Sequence, residues 1–195
     1  MQVERHPLGF FLPENARLLM LGSFPPKQEL WSMDFYYPNI RNDMWRIMGF
    51  LFHSNRDYFL TASRKAFSEE RVRAFCRNKG IAIGDTAVEV IRLKDNASDQ
   101  FLNVVTPLDL AGTLEKIPAC KAIVVTGQKA MDTLRTILPV TEPKIGDSAT
   151  CLFMGKELTV YRMPSSSRRY PQPLHEKAEN YRKMFQELGI LPTFV

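Results

Sequence analysis

The chain lacks any run of about 20 apolar residues, so no segment reads as a membrane-spanning helix. Its opening, MQVERHPLGFFLPENARLL, is broken by charges and prolines where a signal peptide needs an unbroken apolar stretch. Both absences point to a cytoplasmic protein with no membrane partner. Cysteine is scarce as well. Cys76, Cys120 and Cys151 are far apart and odd in number, which fits neither a disulfide framework nor a C-x-x-C metal site. Cys120 and Cys151 read instead as small buried apolar residues. His6, His53 and His175 are equally scattered, so no zinc constellation is visible. An iron–sulfur cluster on four cysteines is excluded by count. The sequence therefore calls for no metal and no organic cofactor. It also lacks internal repeats, low-complexity tracts and any linker long enough to separate one domain from another.

What remains is a chain of 195 residues, 45% of them apolar, a size that suits one domain over 1–195 with a single sizeable core. Its net charge of +5 favours a polyanionic partner, because cations on phosphates release counterions. That argument gains force only if the charge is gathered in one place.

Strands and helices alternate. Arg17 to Leu21 is a short apolar run ending at Gly22-Ser23-Phe24-Pro25-Pro26, a buried strand followed by a stiff loop. Asn42-Asp43 can cap a helix whose inner side carries Met44, Trp45, Ile47, Met48 and Leu51. Ser68-Glu69-Glu70 opens another, stopped by Gly80. Ile81-Ala82-Ile83 begins a second strand, and Lys121 to Gly127 is the clearest one, with a helix following from Gln128 to Leu138. Cys151–Met154 and Leu158–Met163 flank a hairpin at Gly155-Lys156-Glu157, and a last amphipathic helix runs from about Leu174 to Leu188. The pattern predicts an α/β fold: three layers, α/β/α, around a central, mostly parallel sheet of about four strands. Ligands of such sheets bind beyond the carboxyl ends of the strands. Three loops then matter: 22–26, the segment after Gly84-Asp85, and 164–169.

Glycine directly after a buried strand lets a ligand approach the backbone, and paired prolines hold the turn. Of the consecutive aromatics Phe35, Tyr36 and Tyr37, at least one must point away from the core. Asn39 and Asn42 follow, each able to donate and accept hydrogen bonds.

These motifs, in this order, resemble one branch of the uracil-DNA glycosylase superfamily, the hypoxanthine-DNA glycosylases and their mismatch-specific relatives. The residues carrying the likeness are Leu19-Met20-Leu21-Gly22-Ser23-Phe24-Pro25, then Tyr36-Tyr37, Arg41-Asn42 and Met44-Trp45. Gly80 to Asp85 looks like the branch's Gly-Ile-x-x-Trp-Asp segment, with Gly84 at the tryptophan. Lys121 to Ala130 resembles its core strand with an Asn-Gly-x-x-Ala ending, Thr126 standing at the asparagine. Met163 to Ser167 looks like its Leu-Pro-Ser-x-Ser signature, and the opening HPLGFFLPENARLL is similar to its lead-in. Asn39-Ile40 stands where the branch has His-Pro. The likeness runs through nearly the whole chain.

The resemblance implies a monofunctional DNA glycosylase of base excision repair, acting as a monomer on a damaged or mismatched base flipped out of DNA. It makes Tyr37 the platform for the base, with Phe24 as second wall or plain core residue. Backbone N–H groups at Gly22-Ser23 would bind a base carbonyl, and Asp85 would contact the base, hold the site or cap a turn. Asn42 would position the attacking water, a role compatible with capping a helix, with Asn39 as the fallback. Ser165, Ser166, Ser167, Arg168 and Arg169 would meet phosphates, unless they form only a solvated turn. Arg168 or Tyr170 could wedge into the duplex. Two rivals stay open. The departures at Asn39-Ile40, Gly84 and Thr126 allow a weak or inactive DNA-binding relative. A phosphate- or nucleotide-handling α/β hydrolase, with one of Ser165 to Ser167 activated by His175, is the other, although no G-x-S-x-G elbow or P-loop is present.

Overall fold

The computed structural model describes residues 2–93 and 101–193. Among these, the elements run β1 (Val3–Arg5), β2 (Leu18–Gly22), α1 (Met44–His53), α2 (Glu69–Lys79), β3 (Ile81–Asp85), β4 (Ala87–Arg92), β5 (Leu102–Pro107), α3 (Leu110–Glu115), β6 (Ala122–Thr126), α4 (Gln128–Arg135), β7 (Ser148–Phe153), β8 (Lys156–Met163) and α5 (Leu174–Glu187). A five-stranded sheet has the order β3-β2-β6-β8-β7. Its β3/β2, β2/β6 and β6/β8 pairs are parallel, and β7 returns antiparallel at the edge. The sheet is thus mixed and has five strands rather than about four. The extra one is the first arm of the 151–163 hairpin, which joins the main sheet.

The continuous apolar runs have a simple cause. Successive side chains of a strand point to opposite faces, so a strand covered on both sides needs apolar residues at every position. Leu18 and Met20 of β2 enter one core with Ile81, Ile83, Ala122 and Val124, while Leu19 and Leu21 enter another with Ala82, Ile123 and Val125. Helices α1, α2 and α5 supply the first core, with Trp45, Phe75, Tyr181 and Phe185 among its large members. Helix α4 covers the other face with Ala130, Met131 and Leu134, joined by Leu110 of α3. Each fully buried Leu, Ile or Val in these layers contributes roughly 1.5–3 kcal/mol.

Helix boundaries follow local chemistry. Ser68 caps α2 by accepting from the Arg71 N–H, and Gly80 ends it in the left-handed region at φ 65°. Helix α4 stops at Arg135, short of the predicted Leu138.

A second sheet, antiparallel and ordered β1-β4-β5, has no counterpart in the sequence pattern. Strand β1 is three residues long and polar, and irregularities around Glu89 interrupt the period-two alternation of β4. Both features hide the strands from pattern analysis. This sheet sits beyond β3, because the chain passes from β3 into β4 through Thr86 alone. Thr86 turns back on β2, its N–H donating to the Gly22 carbonyl at 2.8 Å.

Cys76 and Cys120 are buried as small apolar residues, and burial pushes both thiols up, Cys120 to about 11. Cys151 differs from expectation. It lies on edge strand β7 and is only half-buried.

Candidate active site

Parallel strands end on the same side, so Gly22 of β2, Asp85 of β3, Thr126 of β6 and the segment after Met163 of β8 meet at one edge of the sheet. They border a cavity of about 470 Å³ that is also lined by Phe24, Tyr37, Asn39, Asn42, Ser165 to Ser167, Arg168 and Arg169. Loops 22–26 and 164–169 therefore face one cleft, lined by the residues expected to meet base, water and phosphate, while Tyr170, the other wedge candidate, does not line it.

The cavity floor is built around Gly22. Any Cβ there would overlap Asp85 Oδ1 and come within 3.4 Å of the Tyr37 hydroxyl, so only glycine admits both side chains. Phe35 and Tyr36 are buried; Tyr37, and an edge of Tyr36, line the cavity, while Phe35 does not. Tyr37 holds a left-handed backbone, φ 53°, a conformation that side-chain-bearing residues rarely keep without support. The support is visible: its hydroxyl lies 3.1 Å from Thr126 Oγ1, and its ring meets Trp45 edge-on at 6.2 Å. Thr126 thus holds the aromatic wall.

Asp85 is buried and bonded through Oδ2 to His6 Nε2 at 2.8 Å. Sequence reasoning dismissed His6 with the other scattered histidines. Nothing in the sequence joins positions 79 apart, and β1, which carries His6 to the site, is itself cryptic. Beside them the Tyr36 hydroxyl donates to the Gly9 carbonyl. Burial above all, then Asp85 and Tyr37, raises its pKa far beyond the usual tyrosine value, so Tyr36 stays neutral.

Phe24 sits between core and cavity. It packs with Ala87, Val90 and Leu102, and it lines the cavity. Arg92 stacks its guanidinium 5.5 Å from the Phe24 ring and donates to the Pro25 carbonyl at 2.8 Å, pinning the 22–26 loop. The missing side chain at Gly84 also has an explanation. The Phe10 ring fills the space, and a Cβ at Gly84 would collide with it.

Asn42 and Asn39 belong to a tight turn, with the Asn42 N–H donating to the Asn39 carbonyl at 2.8 Å. The Asn42 side-chain oxygen accepts the Met44 N–H at 2.8 Å and so caps α1, while that of Asn39 accepts the Arg41 N–H at 2.8 Å. Arg46 braces the turn from within α1, donating to the Ile40 carbonyl at 2.7 Å.

The 164–169 loop is tied to α1. The Asp43 N–H donates to the Ser166 carbonyl at 2.9 Å, and Asp43 Oδ1 holds Arg168 at 3.1 Å. Lys177, fully buried on α5, donates to Asp43 Oδ2 at 3.1 Å and to the Ser167 carbonyl at 2.8 Å. Neither Asp43 nor Lys177 carries a sequence signal for this role. Arg168 is half-exposed and Arg169 exposed at the cavity mouth, with Arg41 nearby. Arg41, Arg92, Arg168 and Arg169 all line the cavity. His175 is exposed, and among the described residues no hydrogen bond joins it to Ser165, Ser166 or Ser167. Among the described residues, no group of three or more His, Cys, Asp or Glu lies placed to hold a metal ion, and no helix is long and apolar enough to cross a membrane.

No protein-family model matches the chain, and no curated protein matches it either. Among solved structures it is similar to the solution NMR structure of a Methanosarcina acetivorans protein described as a "putative Uracil DNA glycosylase". The two are 23% identical, with a TM-score of 0.64, over 96% of this chain and 99% of the other. They share the α/β fold across their whole described extent. That likeness is one of fold.

Proposed function

We propose that the protein is a monofunctional DNA glycosylase that hydrolyses the N-glycosidic bond of a deaminated or mismatched base flipped out of DNA. The observation that carries this reading is the cavity at the strand ends. It joins an aromatic wall, a bare glycine floor and a buried carboxylate at its base to arginines at its mouth. A pocket so equipped suits a flat heterocycle attached to a polyanion. The shared fold with a protein described as a uracil DNA glycosylase supports it, as do the motifs of the hypoxanthine and mismatch-specific branch.

In this reading Tyr37 stacks on the base, worth ~1–3 kcal/mol, with Phe24 closing the far side. Backbone N–H groups of Gly22 and Ser23 receive the charge that builds on a base carbonyl as the C–N bond breaks. Asn42 orients the water that attacks the sugar carbon, by position rather than basicity. Its oxygen has a second lone pair beyond the one used by Met44. Asn39 is the fallback. Ser165, Ser166, Ser167, Arg168 and Arg169 hold the backbone without reading sequence.

The test is a set of duplexes, each with one uracil, hypoxanthine, xanthine or mismatched thymine, incubated with excess protein and cleaved by alkali. Base release from at least one supports the reading. Release from none, with lesion DNA still bound, favours an inactive DNA-binding relative. That second reading has an observation of its own, since both asparagine side chains already serve backbone N–H groups.

A further inference from the structure

Resting on the glycosylase reading, we infer that His6 is a positioning residue that orients Asp85 to read a ring N–H of the bound base. The two residues come from different sheets and meet only in the folded protein. His6 Nε2 lies 2.8 Å from Asp85 Oδ2, and only 7% of either side chain is exposed. A carboxylate accepts hydrogen bonds, so the tautomer with the proton on Nε2 donates one to Asp85 Oδ2. The imidazole is held on both sides. Its ring meets Phe24 edge-on at 5.2 Å and lies tilted beside Tyr36 at 5.8 Å, and Nδ1 is fastened to the Leu8 backbone.

This grip fixes the plane of the carboxylate. With Oδ2 bonded to His6, Oδ1 lies against Gly22 on the cavity floor, in space that any other residue at position 22 would fill. His6 itself does not line the cavity. A buried acceptor at that point suits a base that offers a ring N–H next to a carbonyl, as uracil N3 and hypoxanthine N1 do. It leaves a methylated nitrogen both crowded and unpaired. Discrimination of this kind is large where a site is built around one hydrogen bond, because the mismatched ligand leaves a buried polar group unsatisfied.

The experiment compares single-turnover excision of uracil and hypoxanthine with that of 3-methyluracil and 1-methylhypoxanthine in the same oligonucleotides. The wild-type protein should favour the parent bases by roughly 10²-fold or more. His6→Leu removes the donor and should narrow that ratio at least tenfold, by slowing the parent bases. His6→Gln, whose amide nitrogen reaches a similar point, should restore it. A merely structural histidine would lower all four rates together and leave the ratio unchanged. Circular dichroism checks folding, and His6→Asn, polar but too short to reach Asp85, replaces His6→Leu if that variant does not fold. An unchanged ratio in the folded variant overturns the role of His6 and leaves the glycosylase reading standing. If the wild-type protein releases none of the bases, the glycosylase reading falls and this inference with it.

Discussion

Lys177 donates to Asp43 Oδ2 at 3.1 Å from a position with no exposed surface, while Arg168 holds the other carboxylate oxygen from the cavity mouth. Asp43 immediately precedes α1, and Lys177 also bonds to the Ser167 carbonyl. One buried ammonium thus joins the asparagine turn to the 164–169 loop. The two segments proposed to hold water and phosphate are set relative to each other by a charge that neither contains.

Lys177→Met should therefore destabilise the protein by roughly 3–5 kcal/mol, the cost of breaking a buried pair from one side. Arg168 still faces Asp43, so the lower end of that range is expected. Adding Asp43→Asn should recover part of the loss, since it removes the uncompensated charge. Urea unfolding of the three proteins decides it, and a wild-type midpoint in Lys177→Met would show that the pair contributes nothing.

Replacing Arg168 and Arg169 together with alanine should weaken binding to every DNA sequence alike and flatten the dependence on salt. The slope should fall by roughly 0.9 for each phosphate no longer neutralised. Arg169→Ala should account for more of the change than Arg168→Ala, because Arg168 is already engaged by Asp43. Fluorescence anisotropy across a salt series measures both. An unchanged slope would assign the pair to a solvated turn.

Asn42→Ala should cut single-turnover excision by roughly 10²-fold or more if its amide positions the water. Removing the cap on the Met44 N–H should also cost ~1 kcal/mol, so unfolding must be measured beside the rate. Asn42→Ser separates the two roles, for serine caps well but cannot hold water at the same point. A folded Asn42→Ser protein with wild-type excision would leave Asn42 only its cap, and Asn39 would be tested next.

Stability should fall in alkali. Burial raises Cys120 from 9.0 to about 11 and Tyr161 from 10.0 to about 12, and it raises Cys76, Tyr36 and Tyr181 as well. Each group is neutral when protonated, and the folded chain keeps the proton longer than the unfolded one. Their contribution is therefore full below about pH 9 and lost as pH rises from there towards 12. Urea midpoints should hold steady from pH 7 to about 9 and then decline. Cys76→Ala with Cys120→Ala should make the decline between about pH 9 and 10 shallower, leaving Cys151 and, above about pH 10, the tyrosines to drive it. A midpoint that does not move up to pH 11 would contradict the burial of these groups.

Much of this protein was legible in the order of its residues. A strand buried on both faces has to be apolar at each position, so Leu18–Leu21 and Ala122–Val125 announce themselves, and the loops at their carboxyl ends line the cavity. Ser68 and Gly80 bound α2 by chemistry that is local to them. Local rules reach no further than a few residues. His6 meeting Asp85, Thr126 holding Tyr37, Phe10 filling the place beside Gly84, and Lys177 fastening Asp43 all join segments of the chain that only the packed sheets and helices bring together. Short polar β1 and irregular β4 likewise become strands through their partners. Periodicity records which face of an element is buried, and the side chains that meet across the finished cavity are decided by the folding of the whole chain.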